Sequence, residues 1–188
     1  MRLTRLLTTT FFVTLFAAAA AAQQAPAAQP CMLKAESAPE LRGLRLGMNV
    51  EQIKARFPSA QFGQSQFGLT NGQINNALDA PAPDAAMLKG INSIFLQLVD
   101  QRLTQISVSY GNSIRWESNE QFISRVTEAL KLPAVWKDVN QNLPYIECDG
   151  FVVKAQVNSI SIIARKPYEV VEKRQREQQE KERQSFQP

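Results

Sequence analysis

The sequence contains no histidine in its 188 residues. This absence excludes the catalytic systems that use imidazole as a base, both Ser-His-Asp and Cys-His. It also excludes zinc sites with imidazole ligands and pH switches that depend on histidine protonation. The remaining routes to catalysis are paired carboxylates or a Ser-Lys pair. The composition therefore favours a protein that is not an enzyme and has no cofactor.

Long apolar runs are absent after the first 22 residues. Arg2 and Arg5 precede the apolar stretch Leu6–Phe16, which leads into the alanine run Ala17–Ala22. This order is typical of a secretory signal peptide, so we predict export to the periplasm or beyond, with cleavage after Ala22. The alternative is an uncleaved membrane anchor, but threonines interrupt the stretch, and a spanning helix needs about 20 strongly apolar residues. We expect no transmembrane segment once the signal is removed.

Cysteine is scarce, with only Cys31 and Cys148. No CxxC spacing is present, and without histidine the pair is a poor candidate for a metal site or an activated nucleophile. Two cysteines in an exported protein pair most simply as a disulfide. The bond would close a loop of slightly more than 100 residues, which chain-entropy theory values at about 4–5 kcal/mol. We predict this disulfide and no metal ion.

Net charge is small and unevenly placed. The whole chain carries +4, but Arg2 and Arg5 belong to the predicted signal peptide, and seven Lys and Arg face five Glu from Arg165 onward. The body, residues 23–164, is therefore neutral, with twelve charges of each sign. It shows no basic patch with interleaved aromatic residues, so we expect no binding to nucleic acid.

Two short helices are predicted from the chemistry of their starts. Asn49 can cap the first, with Gln52 placed to complete a capping box, and Pro58 ends it. Ser118 and Gln121 occupy the same two positions in the second helix. Apolar residues fall on one face of each helix: Val50, Ile53 and Phe57 in the first, and Phe122, Ile123, Val126, Ala129 and Leu130 in the second.

Antiparallel strands are predicted after each helix. Ile94–Val99 and Leu103–Tyr110 form one hairpin, and Tyr145–Cys148, Phe151–Val157 and Ile160–Ala164 follow the second helix. The predicted fold class is α+β, with two short helices packed on an antiparallel sheet. We expect a disordered spacer over residues 23–30, a single domain over 31–164, and a tail over 165–188.

The two halves of the domain resemble each other. Glu51, Gln52 and Arg56 of the first helix match Glu120, Gln121 and Arg125 of the second. Because strands follow both helices, one interpretation is a tandem repeat with units 43–112 and 113–164. The alternative is that capping chemistry alone produces this pattern at a helix start.

Ser59–Ile91 is a long stretch rich in Gln, Asn, Gly, Ala and Pro, which is either functional or contains an unrecognised strand. Within it, Phe62 and Phe67 each stand beside a glycine. Aromatic residues are enriched at protein interfaces, so these two are candidate interface residues. The alternative is that they belong to an irregular strand and are buried.

The tail from residue 165 onward is almost entirely charged or Gln after Val171. Glu169–Lys173, Glu172–Arg176 and Glu177–Lys181 are favourable pairs four residues apart, so we expect either a solvated helix or a disordered tail. It has no apolar stripe with which to dock strongly on the body. A weak electrostatic contact with an anionic surface is its possible functional role.

The segment from Gly43 to Ile53, Gly-Leu-Arg-Leu-Gly-Met-Asn-Val-Glu-Gln-Ile, resembles the helix start of the BamE (SmpA/OmlA) and β-lactamase-inhibitor-protein-like families. That resemblance implies an exported α+β domain with helices on an antiparallel sheet, in tandem units in the inhibitor proteins. It also implies a non-catalytic role in outer-membrane assembly or in capture of a partner protein. The resemblance carries no binding residue across.

Three functions are compatible with these patterns. The first, which we favour, is an exported binding module whose partner is another envelope protein. The second is a carboxylate-dependent hydrolase with Glu147 and Asp149 on the same strand face, about 7 Å apart. The third is a structural factor whose charged tail contacts the cell wall or membrane.

Overall fold

The computed structural model describes residues 30–75, 82–111, 115–138 and 143–186. The predicted signal peptide, its cleavage site after Ala22 and the spacer as far as residue 29 lie outside these ranges. Among the residues that the structure describes, no helix has both the length and the apolar character needed to cross a membrane.

Eight antiparallel strands form one sheet across the described residues. They are β1 (Gln61–Phe62), β2 (Leu69–Asn75), β3 (Ile91–Val99), β4 (Arg102–Tyr110), β5 (Lys137–Asp138), β6 (Pro144–Glu147), β7 (Phe151–Gln156) and β8 (Ser159–Ala164). Their order is β1-β2-β3-β4-β8-β7-β6-β5. The sheet therefore consists of two four-stranded meanders joined in the middle by β4 and β8, with a two-residue strand at each edge.

The α+β class is confirmed, but the expectation of two short helices is only partly right. The described residues contain four α-helices: α1 (Val50–Arg56), α2 (Ala82–Met87), α3 (Asn119–Leu130) and α4 (Lys166–Ser185). The first and third are the predicted helices. The fourth falls in the tail, for which a solvated helix was one of the two expectations. Only α2 was missed, because its six residues carry no amphipathic stripe of useful length. The first meander follows α1 and the second follows α3. The tandem repeat itself stays a prediction.

The starts of α1 and α3 show how local sequence sets helix boundaries. Gln52 N donates to Asn49 Oδ1 at 2.8 Å, and Asn49 N donates to Gln52 Oε1 at 3.0 Å, which completes the predicted capping box. At α3, Gln121 N donates to Ser118 Oγ at 3.3 Å. The Gln121 side chain instead accepts from Glu117 N at 2.9 Å, so the second capping box is only half formed.

The hydrophobic core lies between one face of the sheet and these helices. Ile53 and Phe57 from the first helical segment, and Phe122 and Val126 from α3, pack with alternating strand residues in one cluster. The strand residues in that cluster are Ile74, Ile91, Ile94, Leu96, Leu98, Leu103, Ile106, Val108, Ile146, Phe151, Val153, Ala155, Ile160 and Ile162. Because side chains alternate across a strand, the residues between these point to the opposite face.

The stretch from Ser59 to Ile91 contains the strand that the sequence pattern did not reveal. Strand β2 pairs with β3 along seven residues, from Leu69 opposite Val99 to Asn75 opposite Ser93. The two buried positions of β2 are Gly72 and Ile74, and Leu69 and Thr70 are half-buried. Because one of the two buried positions is a glycine, the sequence of β2 does not show the alternation of apolar and polar residues. The buried Asp84 of α2 accepts a hydrogen bond from Ser59 N at 3.0 Å, which ties both ends of the stretch together.

The predicted disulfide is present between Cys31 and Cys148, with 4.7 Å between their Cα atoms. Both cysteines are buried in the core cluster. The bond holds an N-terminal arm against the β6–β7 turn, where Asp149 N donates to Leu33 O at 2.9 Å. A Cβ on Gly150, whose φ is +86°, would lie 3.2 Å from the Ala35 side chain, so glycine lets the arm approach this turn closely.

Removing the disulfide should lower the free energy of unfolding by about 2–5 kcal/mol, because its two cysteines are separated by 117 positions and the bond restricts the unfolded chain. Urea unfolding of the Cys31→Ser/Cys148→Ser double variant measures this change. Reductant should produce a similar loss in the native protein and none in the variant. Two titratable thiols in the native protein before reduction would contradict the assignment.

Candidate interaction surface

The sheet face opposite the core carries an unbroken row of side chains across its strands. Register places Gln73 opposite Phe95, Phe95 opposite Ser107, and Ser107 opposite Ser161. Lys154 of β7 continues the row beside Ser161. Ser107 and Ser161 are joined by a hydrogen bond of 2.8 Å between their hydroxyls. The two meanders thus meet on this face without a gap.

Two parallel rows flank the first one. Across β2, β3, β4 and β8, the three rows place twelve side chains on this face: Asn71, Gln73, Asn75, Ser93, Phe95, Gln97, Gln105, Ser107, Ser109, Ser159, Ser161 and Ile163. None of the twelve is charged. We call this set the uncharged face. Sequence reasoning recognised the alternation of Ser107 and Ser109 with apolar residues but did not connect it across strands.

Side-chain hydrogen bonds organise the uncharged face. Gln97 Nε2 donates to Asn71 Oδ1 at 3.1 Å, and Gln73 Nε2 donates to Asn75 Oδ1 at 2.7 Å. Gln105 Nε2 donates to Ser107 Oγ at 2.9 Å. These bonds hold the amides and hydroxyls of the face in fixed orientations. Phe95, which is 37% exposed, is the aromatic residue of this surface.

Helix α4 docks on the end of this face, contrary to the expectation that it cannot dock strongly. Tyr168 and Val171 lie one helical turn apart, and Arg174 lies one turn further. The Tyr168 hydroxyl lies against the side-chain oxygens of Gln97 and Gln105, at 2.8 Å from Gln105 Oε1. Val171 is 4% exposed. We call Tyr168, Val171 and Arg174 the α4 anchor. Their three-residue spacing was its signal in the sequence, but the charged residues around them concealed it.

Arg174 fastens α4 to the turn between β3 and β4. Its guanidinium donates to both carboxylate oxygens of Asp100, at 2.7 and 3.0 Å, and to Phe67 O at 3.1 Å. The hydrogen bond from Arg174 lowers the pKa of the Asp100 carboxyl below its ordinary value of 3.8. The turn itself is tight, since Asp100 and Gln101 both have positive φ, as a two-residue type I′ hairpin requires.

The two candidate interface phenylalanines lie in different environments. Phe62 packs partly buried against the core, with Lys54 Nζ 5.9 Å from its ring centroid. A Cβ on Gly72 would lie 2.7 Å from the Phe62 ring, so glycine makes room for it. Phe67 is 42% exposed in the turn before β2. Phe62 therefore faces the helix side of the sheet, and Phe67 lies beside the anchor of α4.

The two candidate carboxylates are not arranged as an acid–base pair. Glu147 accepts hydrogen bonds from Lys137 Nζ at 2.6 Å and from Arg165. Both hydrogen bonds lower the pKa of the Glu147 carboxyl, and the one from Lys137 has the larger effect. A general acid needs the opposite shift. Asp149 instead joins the N-terminal arm through a backbone bridge with Lys34. Within the described ranges, no three Cys, Asp or Glu residues are grouped as a metal site requires.

Replacing Tyr168 with Phe should loosen α4 and cost about 1 kcal/mol, because the half-buried amides of Gln97 and Gln105 lose a hydrogen-bond partner. Urea unfolding measures the cost, and amide hydrogen exchange over residues 168–174 measures the loosening. Tyr145→Phe is the matched control, since Tyr145 lies on the same side of the sheet, outside the α4 anchor. Equal effects of the two substitutions would show that the Tyr168 hydroxyl does not hold the helix.

Comparison of the chain with family models, with curated proteins and with solved structures finds no match.

Proposed function

We propose that this protein is an exported, non-catalytic binding module and that the uncharged face is the surface on which it holds another envelope protein. The observation that carries the proposal is the run of twelve neighbouring uncharged side chains across four strands. Solvated protein surfaces are about 25–35% charged. A face of this extent without any charge therefore has a composition that solubility alone does not explain.

The chemistry of the uncharged face suits contact with a protein. Interface centres are depleted in Lys and Glu and enriched in aromatic residues, which matches the absence of charge around Phe95. Asn and Ser also provide the adaptable hydrogen bonding that antibody paratopes use. Because no charge has to leave water, covering this face costs less than covering a charged one.

The size of the face indicates how a complex would extend. Four strands spaced about 4.8 Å apart and three rows of alternating residues span about 20 Å by 20 Å. That is about half of the roughly 800 Å² that each partner contributes to a standard interface. The remainder is available beside the face, at Lys154 and Tyr145 across β7 and β6, and at α4 along the strand ends.

Export is supported by the N-terminal sequence and by the disulfide. A disulfide between Cys31 and Cys148 is compatible with an oxidising compartment. The resemblance of Gly43–Ile53 to BamE-like and β-lactamase-inhibitor-like proteins supports the same class of exported binding protein. We therefore place the protein in the periplasm or outside the cell, with an envelope protein as its partner.

The alternatives have weaker support. A carboxylate hydrolase is disfavoured because Glu147 is held ionised between Lys137 and Arg165. A purely electrostatic role for α4 is disfavoured because its charges pair along the helix, as Lys173–Glu177 at 3.8 Å and Glu180–Arg183 at 2.7 Å do. Contact with an anionic surface would be weak and sensitive to salt.

Export predicts a defined N terminus. The protein recovered from the cell envelope or medium should begin at Gln23, because a signal peptidase cuts after small residues such as Ala22. Intact-mass measurement of the purified protein tests this. An Ala22→Pro variant should accumulate at the mass of the uncleaved chain, and recovery of the native protein at full length from the cytoplasm would contradict export.

The binding surface predicts where crosslinks form. A photoreactive residue at Ser107, in the uncharged face, should give discrete adducts in cells, and Phe95→Lys in the same chain should abolish them by placing a charge at the centre. A photoreactive residue at Glu51, on the exposed side of α1, is the matched control, and Phe186→Lys controls for charge. Adducts at Glu51 but none at Ser107 would refute this surface. Loss of adducts with Phe67→Ala alone would move the interface to the turn before β2.

A further inference from the structure

A groove of about 890 Å³ lies between α3 and the end of the sheet formed by β5, β6 and β7, outside the uncharged face. Its walls include Ile123 and Thr127, which lie one turn apart on α3, and Trp136, Pro144 and Val157 from the sheet end. The Trp136 indole N–H donates to Thr127 Oγ1 at 2.8 Å. That bond fixes the indole between helix and sheet, so the groove is formed before any ligand arrives.

Apolar side chains are exposed at this end of the molecule. Val157 is 43% exposed, and Leu143, immediately before Pro144, is 52% exposed. Of the residues that line the groove, Val157 and the half-buried Ile123 and Trp136 give it a water-accessible apolar floor. Exposed apolar surface bordered by polar residues is typical of an interaction site.

The charged residues that line the groove are all acidic: Glu120, Glu128 and Asp138. Glu128 has an exposed ion pair with Arg125 at 3.2 Å, which contributes little. Glu120 and Asp138 have no ion-pair partner among the described residues, and Lys137 is engaged by Glu147. A hydrogen bond from the Ser118 side chain lowers the pKa of Glu120, so this carboxylate is charged at neutral pH.

We propose that this groove binds a cationic amphipathic segment of a partner protein, with apolar side chains on Ile123 and Trp136 and Lys or Arg side chains at Glu120 and Asp138. The volume lies within the range of about 300–1,000 Å³ typical of binding clefts and accommodates a few side chains. The acidic rim repels anionic partners. The exposed end of α4 from a second copy fits poorly, because residues 173–185 contain no apolar side chain.

The proposal is independent of the uncharged face and is tested on the purified protein with a defined ligand. The ligand is a short amphipathic helical peptide of lysine and leucine, and its counterpart has glutamate in place of every lysine. Titration calorimetry measures affinity. The indole N–H resonance of Trp136, assigned with a Trp136→Phe variant, reports whether binding occurs in the groove. Increasing salt should weaken binding, because the attraction is partly screened.

The decisive variants neutralise charge without changing shape. Glu120→Gln with Asp138→Asn should weaken binding of the lysine peptide about tenfold, as expected when two charge contacts of modest strength are lost. Glu36→Gln with Glu51→Gln is the matched control, because Glu51 occupies in α1 the same helix position that Glu120 occupies in α3. The control should bind as the native protein does.

Four outcomes would overturn the proposal: no binding of the lysine peptide, an unshifted Trp136 resonance, equal binding of the glutamate peptide, or equal weakening in both double variants. Crosslinking at Ser107 addresses a different surface. Failure of groove binding and failure of the proposed function are therefore distinguishable.

Discussion

The pairing of β4 with β8 at the centre of the sheet determines the rest of the architecture. It places Ile106 beside Ile162 and Val108 beside Ile160 on the core side, with Ser107 beside Ser161 on the other. A slip of one residue would exchange the faces and expose the apolar set. One sheet with one core follows from this register. So does the continuity of the uncharged face, because two separate meanders would each present a shorter surface.

The disulfide stabilises the same architecture by holding the N-terminal arm against the sheet. The N-terminal arm has little regular secondary structure: a 3-10 turn at Ala35–Ser37 and isolated bridges such as the one between Lys34 and Asp149. Bonding Cys31 to Cys148 ties this arm to the second meander, while Gly47 N donates to Leu103 O at 2.8 Å in the first. The arm thus connects both halves on the helix side and leaves the opposite face uncovered.

Two surfaces of different chemistry result. The uncharged face presents amides, hydroxyls and one phenylalanine, and favours a partner recognised by hydrogen bonds and shape. The groove beside α3 combines an apolar floor with an acidic rim and favours a cationic segment. Helix α4 borders the first surface through Tyr168 and Arg174 and extends beyond it as a solvated helix. One partner or two can be accommodated, because the surfaces do not share residues.

The sequence by itself determined the features that depend on neighbouring residues or on simple counting. Helix caps at Asn49 and Ser118, the strands of alternating character and the pairing of two cysteines follow from local chemistry and composition. Only the tertiary structure decided the strand order, the inclusion of the polar strand β2, the docking of α4 and the two surfaces. Each of these depends on residues far apart in the chain, such as Tyr168 with Gln97 or Ser107 with Ser161. No local pattern encodes their contact, because it is the burial of the shared core that brings them together.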